Sequence, residues 1–445
     1  MDGLVERPAE QAAPSPDEGP VSPDLLPLTA RIGPGGRLSV GGADVVALAE
    51  RFGTPLFVYD EEHLRERCRQ AVRAWGDGVA YATKAFLCRA MARLAADEGM
   101  ALDVSTGGEL HVALAAGVPP GRLVLHGNNK TDDELVRALE TGVARIVVDS
   151  FDEIDRLARL TGRRPRGPQG PQPVLLRVTP GVEAHTHEFV RTGQEDSKFG
   201  FGLSSGAAAE GVARLSAVPG VTLVGIHAHI GSQVFRAASF AQEVEALAGF
   251  FIPLGLAELC VGGGLGVPYV AGERSPSMEE WAATVLDACA RSGIPAGTRV
   301  TAEPGRSIVA TAGMTLYRVG TIKQIPGVRT YVAVDGGMSD NPRPVLYGSG
   351  YETFLPRAAD AVRPRPVRVV GKHCESGDVV VADARLPLDT AVGDVVATPV
   401  TGAYGYSMAS NYNKVPRAAV VFVADGEARV VVRRETHDDL LRLDA

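Results

Sequence analysis

The feature of this sequence that most restricts its fold is a repeated alternation of short apolar runs and longer helical patterns between residues 79 and 313. The runs are rich in Val, Leu and Ile, as expected for buried strands. The predicted strands are 79–83, 101–104, 123–125, 145–148, 174–178, 223–228, 259–261 and 299–302. The predicted helices are 86–98, 107–117, 131–142, 152–160, 206–217, 237–254, 279–292 and 305–312. Eight such units predict an α/β fold, a (β/α)8 barrel, with a doubly wound eight-stranded sheet as the alternative.

After residue 313 the helical patterns fade and β-branched runs separated by Gly, Asp and Pro predict an antiparallel, all-β domain of sandwich or barrel type. We assign the barrel to residues 55–313 and the β domain to 29–54 and 314–445. Two runs near the start of the chain, 37–40 and 56–59, also look like strands of the β domain. Residues 1–28 are acidic and rich in Pro, which predicts a disordered tail. The low-complexity stretch 162–173 predicts a surface loop.

Charge and cysteine content narrow the possible partners and the compartment. The chain has 45 basic and 53 acidic residues, a net charge of −8, which argues against a nucleic-acid or anionic-membrane binder. It contains no apolar run long enough to span a membrane. Its five cysteines are scattered and form no C-x-x-C pair, which argues against a disulfide framework or a zinc cage. This pattern favours the reducing cytoplasm as the compartment.

Polar residues follow each of the eight predicted strands, and in a barrel the carboxyl ends of the strands meet at one mouth, where active sites lie. In chain order they are Lys84, Asp103, His126, Asp149, Arg177, His229, the glycines Gly262, Gly263 and Gly264, and Glu303. One polar residue after a strand is weak support for a site. Eight in series predict a catalytic mouth.

Lysine is scarce in this chain, with six lysines among the 45 basic residues. Lys84 ends the first predicted strand. A lysine at a strand end is usually a solvated surface residue. It can instead be a Schiff-base lysine, whose amine is nucleophilic when it lies desolvated in a pocket. The scarcity of lysine tilts the choice towards the functional interpretation.

The run Gly262–Gly266 follows the seventh predicted strand, where barrels commonly bind phosphate. A dinucleotide fingerprint would also need glycine at position 267, which is Val, so that interpretation fails. A phosphate site and a plain tight turn remain. Glu303 and Arg306 follow the eighth strand at the same corner, and Ser232 after the sixth strand could add a phosphate donor.

Three other motifs each have two interpretations. The histidine pairs 185/187 and 227/229 could ligate a metal, but no third ligand has zinc spacing, and His229 could equally lie against a planar cofactor. We therefore predict no metal. Cys374, followed by Glu375, is either a small core residue or an exposed proton donor. The Gly-, Tyr- and Ser-rich segment 401–412, which includes Tyr404, predicts a binding loop.

Taken together, these motifs resemble those of the fold-type-III pyridoxal-phosphate-dependent decarboxylases over roughly residues 50–440. The matching stretches are YATKAF, LDVSTGGEL, HGNNK, TPGVEAHTHE…TGQEDSKFGFG, HAHIGSQ, GGGLG, EPGRS, RPVLYG, GKHCESGD and TGAYGYSMASNYN. The family's Asp-Ala-Gly-Met-Asn-Asp stands here as the six residues 335–340, Asp-Gly-Gly-Met-Ser-Asp, which changes local packing more than chemistry.

The resemblance implies pyridoxal 5'-phosphate as cofactor and a role for each matching residue. Lys84 would bond to the cofactor, Glu303 would face its ring nitrogen, and His229 would lie against its ring. The other implied cofactor contacts are Asp103, Ser232, Gly262, Gly263, Gly264, Gly305, Arg306 and Tyr404. The implied substrate contacts are Arg306, Arg343, Tyr347, Glu375 and Tyr404. Cys374 would be the proton donor and, with Glu375, would reach the partner subunit's barrel mouth, so that the active site needs a homodimer.

The resemblance also implies a reaction, the decarboxylation of meso-2,6-diaminopimelate to L-lysine and carbon dioxide. Arg343 beside Glu375 suits a distal group that carries both a carboxylate and an ammonium. Decarboxylation of ornithine, lysine or carboxynorspermidine is the runner-up. An amino-acid racemase and a non-catalytic cofactor-binding regulator are alternatives of other classes. The racemase would need a second base in place of the Cys374 motif, and the regulator should have lost Lys84 or Cys374, both of which are present.

Overall fold

The computed structural model describes residues 19–162, 170–182 and 197–445. The chain begins outside the barrel. Three short strands, β1 (Arg31–Ile32), β2 (Leu38–Val40) and β3 (Ala43–Asp44), form an antiparallel sheet. The helix α1 (Val45–Phe52), the strand β4 (Leu56–Asp60) and the helix α2 (Glu61–Trp75) follow in that order.

Eight parallel strands then form the predicted barrel, in which neighbours along the chain are neighbours in space. They are β5 (Ala80–Ala82), β6 (Ala101–Val104), β7 (Leu123–Leu125), β8 (Arg145–Val148), β9 (Gln172–Thr179), β11 (Val221–His227), β12 (Glu258–Cys260) and β13 (Arg299–Thr301), with a two-residue strand β10 (Phe201–Gly202) beside β9. Backbone hydrogen bonds from Ala80 N to Ala302 O (3.0 Å) and from Ala82 N to Pro304 O (3.1 Å) join the last strand to the first. The sheet therefore closes, and the doubly wound alternative is wrong.

The helices alternate with these strands as predicted. They are α3 (Arg89–Asp97), α4 (Gly107–Ala115), α5 (Asp132–Thr141), α6 (Phe151–Gly162), α7 (Ala207–Ser216), α8 (Ala237–Phe251), α9 (Met278–Arg291) and α10 (Arg306–Val309). Two of them begin with complete capping boxes, Thr131 with Glu134 and Ser277 with Glu280, which satisfy the first backbone N–H groups of α5 and α9. None of the described helices is both long and apolar enough to cross a membrane.

The predicted eighth helix, 305–312, is only the four residues of α10, because the chain turns into a strand at Gly313. Helix α2, which the sequence did not predict, lies beside it on the outside of the barrel. The ring of Trp75 in α2 packs 4.7 Å from that of Trp281 in α9. Arg67 Nε donates to the carbonyl of Ser307 at 2.8 Å. A helix that precedes the first strand therefore covers the last position of the outer layer.

The second domain is built on a twisted sheet with the strand order β17-β16-β15-β14-β4-β19-β20, and β18 also pairs with β14. Its elements are β14 (Gly313–Ile325), β15 (Arg329–Val334), α11 (Arg343–Tyr347), β16 (Arg365–Val370), β17 (Val379–Leu386), β18 (Val395–Pro399), β19 (Ala419–Ala424) and β20 (Glu427–Val432). The all-β prediction is confirmed, apart from the short α11. The expectation of purely antiparallel pairing is wrong, because β15 with β16 and β4 with β19 are parallel.

Two predicted boundaries differ from what the structure describes. Strand β4 lies in the sheet of the second domain, so we propose that the barrel domain begins after Asp60 and not at residue 55. The predicted tail 1–28 is too long, because Val21 and Leu25 are buried and Arg363 donates to the carbonyls of residues 19 and 20. Residues 1–18 lie outside the described residues. So do residues 163–169 of the predicted loop 162–173.

Candidate active site

A cavity of about 580 Å³ lies at the carboxyl ends of the barrel strands, where the second domain meets the barrel. Twelve of the fifteen predicted site residues line it. They are Lys84, Asp103, His229, Ser232, Gly263, Gly264, Glu303, Gly305, Arg306, Arg343, Tyr347 and Tyr404. Gly262, Cys374 and Glu375 are not among the lining residues. The barrel strands and the segment from the second domain thus bring most of the predicted set to one place.

Lys84 lies in a single 3-10 turn directly after β5. Thr83 anchors this turn by donating its hydroxyl to the carbonyl of Asp103 at 2.8 Å. The segment 401–412 of the second domain packs against the turn, since Tyr404 N donates to the carbonyl of Ala85 at 2.8 Å. The Lys84 side chain extends into the cavity between the two domains. Its amine is therefore placed to react with a molecule bound there.

Glu303 is buried beneath the cavity and is held by two histidines. Its Oε1 lies 2.8 Å from His126 Nε2, and its Oε2 lies 3.0 Å from His227 Nε2. Burial alone would raise the pKa of Glu303, but the two imidazoles outweigh it and hold the pKa well below its usual range. The carboxylate is therefore ionised. Sequence reasoning found Glu303 and placed His126 at a strand end, but gave no sign that His126 and His227 meet on one carboxylate.

The surroundings of this carboxylate set the charges of its neighbours. Burial, opposed by His126, raises the pKa of Asp103, whose carboxylate lies 3.6 Å from the His126 ring. Burial and the nearby charge of Lys84 hold the pKa of His229 well below its usual range, so this imidazole is neutral. Gly263 N donates to His229 Nδ1 at 3.2 Å, which leaves the proton of the neutral ring on Nε2. The site therefore holds a neutral ring beside an ionised carboxylate.

Of the two histidine pairs considered as metal ligands, the structure describes 227/229 and leaves 185/187 outside the described residues. His126, His227 and Glu303 offer ligand atoms within 4.8 Å of one another, although the hydrogen bonds between them already account for this arrangement. That no metal binds stays a prediction.

The glycines after β12 make a floor that has no room for side chains. A Cβ on Gly263 would lie 2.2 Å from the carbonyl oxygen of Glu303. A Cβ on Gly264 would lie 2.1 Å from the carbonyl oxygen of Gly231, and the φ of Gly264 is +112°, which L side chains rarely adopt. Backbone without side chains thus lines the base of the cavity, where it can approach an anion closely.

Arg306 and Arg343 carry the positive charge of the cavity wall. Both are buried, with 7% and 5% of their surface exposed. Neither forms an ion pair within the described residues, although buried charges are normally paired. They contact the hydroxyls of Tyr269, Tyr351 and Ser349, which sequence reasoning missed. An anionic ligand would complete this wall.

Cys374 and Glu375 are exposed on a loop of the second domain, outside the cavity of their own chain. The neighbouring His373 is buried and fixes this loop. Its ring bonds to Ser339 Oγ at 2.8 Å and to Asn413 Oδ1 at 3.1 Å. The prediction that Cys374 and Glu375 reach a partner's barrel mouth concerns two chains and stays a prediction.

The residues around the cavity offer the chemical groups that pyridoxal phosphate needs. The aldehyde of the cofactor needs an amine, its phosphate needs exposed backbone and cations, and its ring nitrogen needs a carboxylate. Lys84, the Gly263–Gly264 floor with Arg306, and the ionised Glu303 supply these groups around one cavity. A parallel barrel with this donor set defines a pyridoxal-binding barrel enzyme.

Comparison with known proteins agrees with that class. The family model "Pyridoxal-dependent decarboxylase, pyridoxal binding domain" matches residues 61–310. A diaminopimelate decarboxylase of Mycobacterium bovis is 46% identical over 95% of this chain and 98% of its own length. One of Actinosynnema pretiosum is 48% identical over 94% of both chains. The crystal structure of the enzyme from M. jannaschii in complex with L-lysine is 33% identical, with a TM-score of 0.86 over 94% of this chain and 98% of that one. The chain therefore belongs to the pyridoxal-dependent decarboxylase family and, within it, to the diaminopimelate decarboxylases.

Proposed function

We propose that this protein decarboxylates meso-2,6-diaminopimelate to L-lysine and carbon dioxide, with pyridoxal 5'-phosphate as its cofactor. The observation that carries the proposal is the single cavity that combines the amine of Lys84, the ionised Glu303 and the two guanidiniums, which have no acidic partner in the part of the chain that the structure describes. Relatives with this activity by name match over nearly the full length of the chain, which supports the choice of substrate.

In this proposal each of the predicted cofactor residues has a role towards the cofactor. Lys84 would hold the cofactor through its aldehyde carbon, and the amine must be unprotonated to do so. Ser232, Gly262, Gly263, Gly264, Gly305 and Arg306 surround the phosphate, and Asp103, His229 and Tyr404 complete the pocket. The bound cofactor supplies an electron sink for the pair of electrons left when carbon dioxide departs. Glu303 holds a proton on the ring nitrogen, because its own pKa is low enough to keep it anionic.

The substrate is held by its charges. Arg306 and Arg343 bind carboxylate, with Tyr347 and Tyr404 beside them. We infer a homodimer in which Glu375 of the partner subunit binds the distal ammonium and Cys374 of the partner subunit donates the proton that the substrate carbon needs after carbon dioxide has left. The exposure of both residues, away from their own cavity, supports this arrangement. All five cysteines are free. We propose the cytoplasm as the compartment, because its reducing conditions would keep these thiols free.

Product identification tests the proposal. The protein, loaded with pyridoxal phosphate, is incubated with meso-diaminopimelate and, separately, with L-ornithine, and carbon dioxide and amines are measured. We expect L-lysine from the first and far slower release of carbon dioxide from the second. A large preference for ornithine would overturn the substrate assignment.

The role of Lys84 is tested with Lys84→Ala and Lys84→Arg. We expect nearly complete loss of turnover in both, because a permanently protonated guanidinium cannot replace the amine. After reduction with borohydride, mass spectrometry should find the cofactor mass on the wild-type peptide and on neither variant. Normal decarboxylation by Lys84→Ala would refute the assignment.

A further inference from the structure

Tyr269 connects the two arginines of the cavity wall. Arg306 Nη1 donates to the hydroxyl of Tyr269 at 2.5 Å. The guanidinium carbon of Arg343 lies 4.8 Å from the centre of the same tyrosine ring, within range of a cation–π contact. One side chain, 4% exposed and behind the cavity wall, therefore contacts both cations.

A second tyrosine fixes Arg343 from the other side. Arg343 Nε donates to the hydroxyl of Tyr351 at 2.9 Å, and Arg343 Nη2 donates to Ser349 Oγ at 3.0 Å. The rings of Tyr269 and Tyr351 pack edge to face with 5.1 Å between their centres. Burial raises the pKa of Tyr351 to about 12, so its hydroxyl accepts from Arg343 as a neutral group.

These contacts fix the position of each arginine without neutralising its charge. A carboxylate behind each arginine would fix its orientation but also cancel its charge. Neutral phenol oxygens fix the orientation and leave the charge in place. Neither guanidinium meets an acid among the described residues, and Arg343 Nη1 and Arg306 Nη2 form no hydrogen bond there. Two buried cations with fixed orientation and free donors are costly unless an anion binds to them.

We propose that Tyr269 is a positioning residue for substrate recognition, which fixes Arg306 and Arg343 relative to each other so that both guanidiniums present free donors to substrate carboxylate. Tyr351 supports the same arrangement through Arg343. The inference rests on the proposed function, because it takes the occupant of this wall to be a dicarboxylate amino acid. It assigns to Tyr269 no contact with the substrate.

The test uses the holoenzyme and the variant Tyr269→Phe, which removes the hydroxyl and keeps the ring. Tyr317→Phe is the matched control, because Tyr317 is fully buried and its hydroxyl has no partner among the described residues. Steady-state kinetics with meso-diaminopimelate give KM and kcat. Calorimetry gives the affinity for two probes that cannot be decarboxylated: pimelate, which has the same carbon chain with both carboxylates and no amine, and 1,5-diaminopentane, which has two amines and no carboxylate.

We expect Tyr269→Phe to raise KM and to weaken pimelate about tenfold, the value of roughly one hydrogen bond to a charged group. The value of kcat and the affinity for 1,5-diaminopentane should stay within about twofold of wild type. The absorbance spectrum of the bound cofactor should match that of wild type. The control should match wild type in all of these. Unchanged pimelate affinity would overturn the proposal, and so would an equal loss for pimelate and the diamine, which would indicate a general structural role.

Failure of the positioning role can be distinguished from failure of the proposed function and from misfolding of the variant. If the wild type does not decarboxylate meso-diaminopimelate but Tyr269→Phe still weakens pimelate selectively, the proposed function fails and the positioning role stands. If Tyr269→Phe does not fold, Tyr351→Phe replaces it. That variant should weaken pimelate more than the diamine, and no selective loss would overturn the proposal.

Discussion

Lys130 makes a buried ion pair whose removal should destabilise the barrel measurably. Its Nζ lies 2.9 Å from Glu153 Oε1, and both side chains are 1% exposed. The same ammonium donates to the carbonyls of Gly127 and Val147 at 2.6 and 2.8 Å. Gly127 lines the cavity and follows His126, which bonds to Glu303. The change Lys130→Met keeps most of the stem and removes the charge.

The size of the effect follows from this geometry. At 2.9 Å and an effective dielectric constant of about 20, the attraction is about 6 kcal/mol, most of which offsets the cost of burying two charges. Leaving Glu153 buried without its cation should cost about 3–5 kcal/mol. With an unfolding entropy of about 2.1 cal/mol/K per residue over 445 residues, each kcal/mol lowers Tm by about 1 °C. Lys130→Met should therefore melt about 3–5 °C below wild type.

Differential scanning calorimetry of the holoenzyme measures this effect. The double variant Lys130→Met/Glu153→Leu should recover most of the loss, because it leaves no buried charge unpaired. Lys323→Met is the matched control, since Lys323 is exposed on β14, and it should melt within about 1 °C of wild type. A Tm for Lys130→Met equal to that of the control would refute the reasoning, and so would a double variant that melts below the single one.

Three other predictions use different parts of the molecule. Cys374→Ala should lower kcat about 10²-fold or more while KM changes little, because the thiol donates a proton and does not bind substrate; full turnover in steady-state assays would favour a racemase. Gly264→Ala should weaken cofactor binding at least about tenfold in an absorbance titration, because its Cβ would lie 2.1 Å from a backbone oxygen. The control Gly249→Ala on α8 has open space around its Cβ and should bind the cofactor normally. Burial raises the pKa of Asp340 from 3.8 to about 7, so this carboxyl lowers stability as pH rises from about 4 to 7. Asp340→Asn should therefore be more stable than wild type by up to about 4 kcal/mol at pH 8 and by only about 1.6 kcal/mol at pH 5, with correspondingly different gains in Tm. Equal Tm differences at both pH values would contradict this sign.

Local signals predicted the barrel well. Strands such as 101–104, 123–125 and 145–148 match the structure residue for residue, because a buried parallel strand is a continuous apolar run between polar turns. Lys84, His229 and Glu303 were found for a related reason, since each follows a strand whose carboxyl end must face the mouth. Arg343 and Tyr347, which lie in the second domain, were found only through the family resemblance. Helix α2 was missed because it precedes the first strand of the alternation, although Asp60 caps this helix by accepting from His63 N.

Relations between distant residues were beyond the reach of these patterns. That His126 and His227 share Glu303, or that Tyr269 lies between two arginines, depends on how far each strand and loop projects into the mouth. The pairing of β4 with β19 depends on the topology of a second sheet whose members are far apart in sequence. Lys130 was likewise indistinguishable from a surface lysine, because its partner Glu153 lies in α6, beyond both α5 and β8 along the chain.

The place of β4 in the second sheet has a consequence for synthesis on the ribosome. Leu56 pairs with Leu316 on one side and with Ala419 on the other, and all five residues of β4 are buried in the finished protein. As the chain emerges from its amino end, this apolar strand must wait for the whole barrel to be translated before its first partner exists. During that interval its unpaired edge is open to other strands. A fragment that stops after the last barrel strand would keep the strand in this exposed condition permanently, and aggregation of such a fragment would not show that the barrel itself cannot fold.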